Sequence, residues 1–337
     1  MDEDQYYQAA VTVIVLFVVG VVLKLARPVL IPFILAVFLS YIIEPVLTFL
    51  TRCRCPRPGA VLLVLVMMFV FLYLAGVLVY SSGKSLAIEL PKYQPRLSDL
   101  SQFLQKGLGP LKLDLSLALE KLDIGKIGAV ILSAIGPFLD LLGKILLVFI
   151  FLVFIVAGRG RAATKVQKAL GDGRAGQVRT AFEAINGQVR KYLVIKTVMS
   201  LANGLEVWLV LTLFGVDFAA LFGFLAFVLN FIPSIGSLTA MTFRVGFAFF
   251  QFGTFWTPFW VLVITAGLDG ILGNLIEPRI MGKGLGLSPL IVFFSLLFWG
   301  WLWGVPGMIL SIPLTAVIKI VCQNVPVLRP VAVLMGS

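Results

Sequence analysis

Residues Ala60–Tyr80 run for 21 positions without one charged side chain, and from Tyr192 to residue 337 the chain is nearly as apolar. A helix rises about 1.5 Å per residue, so about 20 such residues cross a hydrocarbon core about 30 Å thick. Composition says the same of the whole chain. Of 337 residues, 60% are hydrophobic and 13% charged, against about 45–50% and about 25% in soluble domains. A water-soluble core stops growing near about 250–300 residues and could not hide this excess. The fold expected is therefore all-α and polytopic, with membrane lipid as its solvent.

Further spans are expected at Val11–Leu23, at Phe33–Leu50 after Pro28 and Pro32, and at Val130–Ala157. Between them the chain organises as transmembrane helices over 1–83, an extracytoplasmic amphipathic insert over 84–129 and a transmembrane helix over 130–157. A basic cytoplasmic helical linker over 158–191 and an apolar core over 192–337 complete it. In the insert, Leu97, Leu100, Phe103, Leu104 and Leu108 recur at helical spacing among charges of both signs. Lys+Arg number 27 against 16 Asp+Glu, a net charge of +11. The basic clusters at Arg52–Arg57, Arg159–Lys191, Arg279–Lys283 and Lys319–Arg329 all fall on one side if both termini are cytoplasmic. Lys24 and Arg27, at a short outer turn, are the exceptions. Topology accounts for the charge, and no nucleic-acid partner is expected.

Catalytic and metal chemistry find little here. The chain has no histidine, which excludes imidazole acid–base chemistry and His–metal sites. Cys53, Cys55 and Cys322 are too few for a four-ligand zinc site and read as reduced thiols. Gly171–Gly176 matches G-x-G-x-x-G, but a basic helical segment precedes it rather than a strand, so it reads as a flexible loop. Gly282–Gly286 lacks the Lys-Ser/Thr ending of a P-loop. No enzyme activity, cofactor or metal is expected.

The polar residues inside apolar spans carry more information. An ionised side chain at a bilayer centre costs about 2.5–3.5 kcal/mol on insertion scales, so such groups pair or line a pathway. Lys196, Ser200, Asn203 and Glu206 fall on one helix face about 120° wide. Asp269, Asn274 and Glu277 lie within about 140° of one another on a regular helix, beside Gly267, Gly270 and Gly273, which permit close helix approach. Arg244 sits alone in Leu238–Phe252, with Gln251 two turns on, and needs a carboxylate. Glu206, Asp269, Glu277 and Arg244 are the candidate ion or proton groups, with structural pairing the competing reading.

Two breaks interrupt the apolar core. Asn230–Ser237 contains Pro233, Ser234 and Gly236, and Trp303–Gly307 contains Gly304, Pro306 and Gly307. The second divides Leu290–Ile320 into halves of about 15 residues, each short for a span. Non-helical backbone at membrane depth survives only where protein or a water-filled cavity satisfies it, and paired Gly/Pro-interrupted segments point to a transporter's binding site. Ordinary turns between full spans are the alternative.

From about Gln188 onward the chain resembles the autoinducer-2 exporter family of bacterial inner-membrane proteins. The resemblance is carried by Lys191–Leu193, Leu213–Val216, Asn230–Gly236, Glu277–Lys283, Leu287–Leu290, Gly304–Met308 and Ile312–Leu314. It implies about eight spans and a homo-pentamer whose protomers each work alone. It also implies hairpins that move a small polar solute, such as autoinducer-2, by an elevator-like motion. Some members are described as Na⁺/H⁺ antiporters. The chain departs from the family at Ser237 and Phe243, where prolines are usual, and at Arg244. A solute would meet Asn230, Ser234, Ser237 and Asn274 at the broken helices. The alternatives are a cation/proton antiporter and a non-transporting pentameric scaffold.

Overall fold

The computed structural model describes residues 3–93, 129, 133, 136, 143–282, 285–325 and 328–336, with the backbone alone at 3–6, 8–10, 16, 159–182 and 184. The amphipathic pattern at 97–108, the first part of the span expected over 130–157, and Lys283 lie outside the described residues.

Helices α1 (Glu3–Leu25), α2 (Arg27–Arg52) and α3 (Arg57–Glu89) open the chain, and a 3₁₀ turn, Leu90–Tyr93, ends α3. Then follow α4 (Ile145–Leu213), α5 (Ala219–Leu229), α6 (Ile235–Phe252) and α7 (Trp256–Gly270). A π-turn (Ile271–Ile276) leads into α8 (Glu277–Met281), and α9 (Pro289–Trp303), α10 (Val305–Asn324) and α11 (Arg329–Leu334) close the order. Among the described residues no sheet forms, and one antiparallel bridge joins Leu287 to Gly336. Among the described residues five helices are long and apolar enough to cross a membrane: 27–52, 57–93, 185–213, 256–281 and 305–324. The protein is an all-α, polytopic membrane protein.

Two expectations change on contact with the structure. Pro28 and Pro32 do not separate the first two spans; α2 starts at Arg27 and contains both. Pro28, in the first turn, removes only a donor that has no intrahelical acceptor, whereas Pro32 lies inside the helix and forgoes one i→i−4 bond. Gly171–Gly176 is not a loop but part of α4. The Ala, Arg, Lys and Gln residues on either side are good helix formers, and their summed preference outweighs about 1 kcal/mol per glycine. The same helix runs on through 157/158 and 191/192.

By packing, the chain forms two compact units. The first comprises residues 1–49, 144–194 and 283–337. In it Phe33 meets Phe151 edge to face at 5.5 Å, Tyr41 bonds Asn186, and Arg190 pairs with Glu44 at 3.5 Å. The helices α9 and α10 fold back on each other there. Ser295 on α9 donates to the Ser311 carbonyl at 3.0 Å and bonds the Thr315 hydroxyl, while Trp299 Nε1 donates to Thr315 at 3.3 Å. Polar groups between two apolar helices hold register, because lipid offers them no alternative partner. At the tip, Trp303 Nε1 donates to the Leu23 carbonyl at 3.1 Å, and Lys24 Nζ lies 5.0 Å over the Trp301 ring. That cation–π contact gives the Lys24 ammonium an aromatic face as its partner.

The second unit comprises residues 50–143 and 195–282. Its core gathers Leu86, Leu90, Tyr93, Val207, Leu211 and Phe222, with Val245, Phe247 and Val261. Gly204 on α4 and Gly223 on α5 bring two backbones together. A Cβ on Gly204 would lie 2.8 Å from the Gly223 carbonyl, and one on Gly223 would lie 2.7 Å from the Gly204 carbonyl. Close approach therefore occurs here and not at Gly267, Gly270 or Gly273, where an added Cβ meets nothing within 4 Å. Gln251 does not serve Arg244. It accepts from the Asp217 backbone N–H at 2.7 Å and donates to the Gly215 carbonyl at 2.8 Å, fixing the α4–α5 turn.

Candidate functional site

The polar face of α4 runs through the second unit as a ladder. Lys196 Nζ donates to both carboxylate oxygens of Glu277, at 2.9 and 3.1 Å. One turn along, the Ser200 hydroxyl accepts from Asn230 Nδ2 at 3.0 Å. Another turn along, Asn203 donates to Asp269 Oδ1, and Arg244 Nη2 donates to Asp269 Oδ2. Arg244 is 1% exposed. Glu206 completes the face, and both of its carboxylate oxygens are buried without a hydrogen-bond partner among the described residues. One helix thus presents polar groups to α8, to the α5 tip and to α7 in succession.

The π-turn makes the ladder fit. Lys196 and Asn203 are seven residues apart, whereas Glu277 and Asp269 are eight apart. On regular helices seven residues return to within about 20° of the starting face, and eight overshoot by about 80°. Hydrogen bonds running i→i+5 over Ile271–Ile276 absorb one residue. Eight residues then cover about the rotation of seven, and both carboxylates meet α4. Asn274, inside the π-turn, is left exposed rather than grouped with Asp269 and Glu277. The regular period assumed from the sequence does not hold there.

Each break is a tight tip built around one glycine. At the first, α5 ends at Leu229 and α6 begins at Ile235, with Ser234 at φ 57°, a conformation costly for a residue with a Cβ. A Cβ on Gly236 would lie 1.8 Å from the Leu229 carbonyl oxygen. At the second, Gly304 takes φ 70°, and a Cβ on Gly307 would lie 1.9 Å from the Trp299 carbonyl oxygen. In both, the missing side chain lets the second helix start against the last turn of the first. Pro233 and Pro306 lie just before the respective glycines and withhold a backbone donor where the chain turns. Ser234 is exposed, and Ser237 donates back to the Ser234 carbonyl at 3.1 Å. Of the four polar groups expected at the broken helices, Asn230 alone bonds the α4 ladder.

The structure therefore brings Lys196, Ser200, Asn203, Glu206, Asn230, Arg244, Asp269 and Glu277 into one seam. It leaves Asn274 and Ser234 outside it. Sequence reasoning missed the Ser295–Thr315–Trp299 network and the Gly204–Gly223 approach. Small residues at i and i+3 or i+4 are too common in apolar helices to single these out. Among the described residues, no three or more His, Cys, Asp or Glu side chains group as metal ligands.

Comparison with known proteins bears on the chain as a whole. Residues 11–326 match the family model described as AI-2E family transporter. A Borreliella burgdorferi protein named "Putative transport protein" is 34% identical over 327 residues, covering 96% of this chain and 89% of that one. The AI-2 transport protein TqsA of Escherichia coli strain K12 is 32% identical over 317 residues, covering 94% of this chain and 91% of TqsA. YhhT of the same strain, whose name carries the same description as the first, is 32% identical over 314 residues, with 92% and 89% covered. Matched along nearly its whole length, this chain belongs to the AI-2E family of transporters.

Proposed function

We propose that the chain is a secondary transporter exporting a small polar solute such as autoinducer-2 across the bacterial inner membrane. The α4 ladder carries this reading. A helix apolar enough to span a bilayer buries Lys196, Ser200, Asn203 and Glu206 on one face. At about 2.5–3.5 kcal/mol per charged group at the bilayer centre, lipid alone would not sustain that arrangement. Its contact with the α5–α6 tip through Asn230 joins the ladder to a strained, glycine-closed turn. Opening such a tip exposes half-helix N–H and C=O groups, which hydrogen-bond a neutral hydroxylated solute. The α9–α10 hairpin, zipped internally by Ser295, Thr315 and Trp299, suits an element that moves as one piece, as elevator-like transport requires.

In this reading protomers act singly within a homo-pentameric ring, both termini are cytoplasmic, and no enzyme chemistry takes part. Native mass spectrometry tests the ring: a closed pentamer is expected, and a monodisperse monomer contradicts it. Counterflow of labelled solutes in proteoliposomes tests transport itself. A second reading, cation/proton antiport, is favoured by one observation, the unpartnered carboxylate of Glu206 beside the Arg244–Asp269 pair. Under antiport, Asp269→Asn, Glu206→Gln and Glu277→Gln cannot all retain full Na⁺-driven proton movement.

A further inference from the structure

Arg244 bonds one carboxylate, that of Asp269, and leaves part of its guanidinium unused. Nη2 reaches Asp269, while Nε is buried and has no partner among the described residues. A guanidinium is a planar fork of five N–H donors, so an unused Nε edge is a place for a second acceptor. Glu206 supplies the matching orphan, with both oxygens buried and unpartnered. It lies one turn beyond Asn203 on the same face of α4, and Asn203 bonds the Asp269 carboxylate that Arg244 holds.

The other charged and polar groups nearby are occupied. Lys196 holds both oxygens of Glu277, and Gln251 is committed to the α4–α5 turn. Helix α5 has no ionisable residue, and Ala60–Tyr80 of α3 has none but tyrosines. The unit thus sets one buried guanidinium against two buried carboxylates. Asp269 is also the carboxylate beside an irregular turn, since the π-turn begins two residues after it. Such turns are rare and gather at functional sites, and exchanging i→i+5 for i→i+4 bonds before it would rotate the side chains there by about 100° per residue.

We infer that Arg244 is a shared counter-ion, which trades Asp269 for Glu206 when the π-turn shifts past Asp269. Glu206 is the reserve partner that keeps the guanidinium paired while α7 turns. The exchange is a property of the fold; its place in a transport cycle rests on the reading proposed above.

A double-mutant cycle in the full-length protein tests it by thermal unfolding in detergent. Glu206→Gln alone leaves the midpoint near wild type, because Arg244 keeps Asp269. Asp269→Asn alone lowers it modestly, because Glu206 takes over, and hydrogen exchange at the amides of 271–276 quickens as α7 loses its anchor. The double variant strands a buried guanidinium and falls by clearly more than the two single shifts added. Additive shifts overturn the proposal, and so does an Asp269→Asn protein that does not fold, since Glu206 should then have replaced Asp269. Counterflow of labelled autoinducer-2 is a separate readout. Glu206→Gln should cut it at least tenfold at unchanged stability, and unimpaired flux removes the exchange from the transport cycle.

Discussion

Replacing Gly236 by alanine asks the first hairpin to accept one methyl group where the backbone leaves no room. The added Cβ would sit 1.8 Å from the Leu229 carbonyl oxygen, 2.7 Å from its carbon and 3.1 Å from Ile232 Cβ. Ordinary contact begins near 3.4 Å, so the start of α6 and the end of α5 must part by 3.4 − 1.8 = 1.6 Å. The obstacle is backbone, so no side-chain rotation relieves it. Overpacking of this kind costs about 1–3 kcal/mol, and here the tip that holds Asn230 on Ser200 opens as well. Gly307→Ala makes the same demand on the second hairpin, 3.4 − 1.9 = 1.5 Å at the Trp299 carbonyl. Gly267→Ala and Gly273→Ala are the controls, since a Cβ there meets nothing within 4 Å. Alanine in place of a mid-helix glycine is neutral or stabilising by about 0.5–1 kcal/mol. Thermal unfolding in detergent should therefore place Gly236→Ala and Gly307→Ala below wild type and the controls at or above it. Equal midpoints for all four variants would refute the claim that these glycines close the tips.

Exchanging the ends of the Lys196–Glu277 pair should restore what either single change removes. Lys196→Glu or Glu277→Lys alone leaves two like charges in a largely buried site, costing about 3–5 kcal/mol, and the double exchange should recover most of the unfolding midpoint. Thr315→Val keeps the volume but removes the partner of Ser295 and Trp299. A loss of about 1–3 kcal/mol is expected, and an unchanged midpoint would show that the network does not hold α9 to α10. For topology, a cysteine at Ser101 should react with an impermeant thiol reagent from outside the cell and one at Ala175 only from inside, the reverse pattern overturning the orientation.

Much of the fold was legible because apolar run length speaks directly to membrane spans. Ala60–Tyr80 and the two Gly/Pro breaks each appear as the sequence predicts. The face formed by Lys196, Ser200, Asn203 and Glu206 was readable because it lies on an unbroken α-helix, where a period of about 3.6 residues holds. Their partners were harder to read. Arg244 needed a carboxylate, but which one depends on tertiary packing. The period also fails across Ile271–Ile276, where an extra residue turns Asn274 away from Asp269 and Glu277. Gly267, Gly270 and Gly273 look like a packing stripe and meet nothing. Gly204 and Gly223, which form no such stripe, meet each other. Small size permits approach, and packing decides which glycine finds a partner.

Counterflow in proteoliposomes bears most directly on transport through the hairpin tips. Vesicles are loaded with unlabelled autoinducer-2 or another small hydroxylated solute, and the labelled solute is supplied outside, with and without a Na⁺ or pH gradient. The wild-type protein should accumulate label transiently. The Pro233→Leu/Gly236→Leu and Pro306→Leu/Gly307→Leu variants should not, at equal membrane levels. Leucines at the second tip favour one continuous helix of about 30 residues, near 45 Å, in place of a hairpin. Absence of counterflow for every solute in the panel by correctly inserted wild-type protein would contradict the transport reading. Normal counterflow in both leucine variants would show that the tips are ordinary turns.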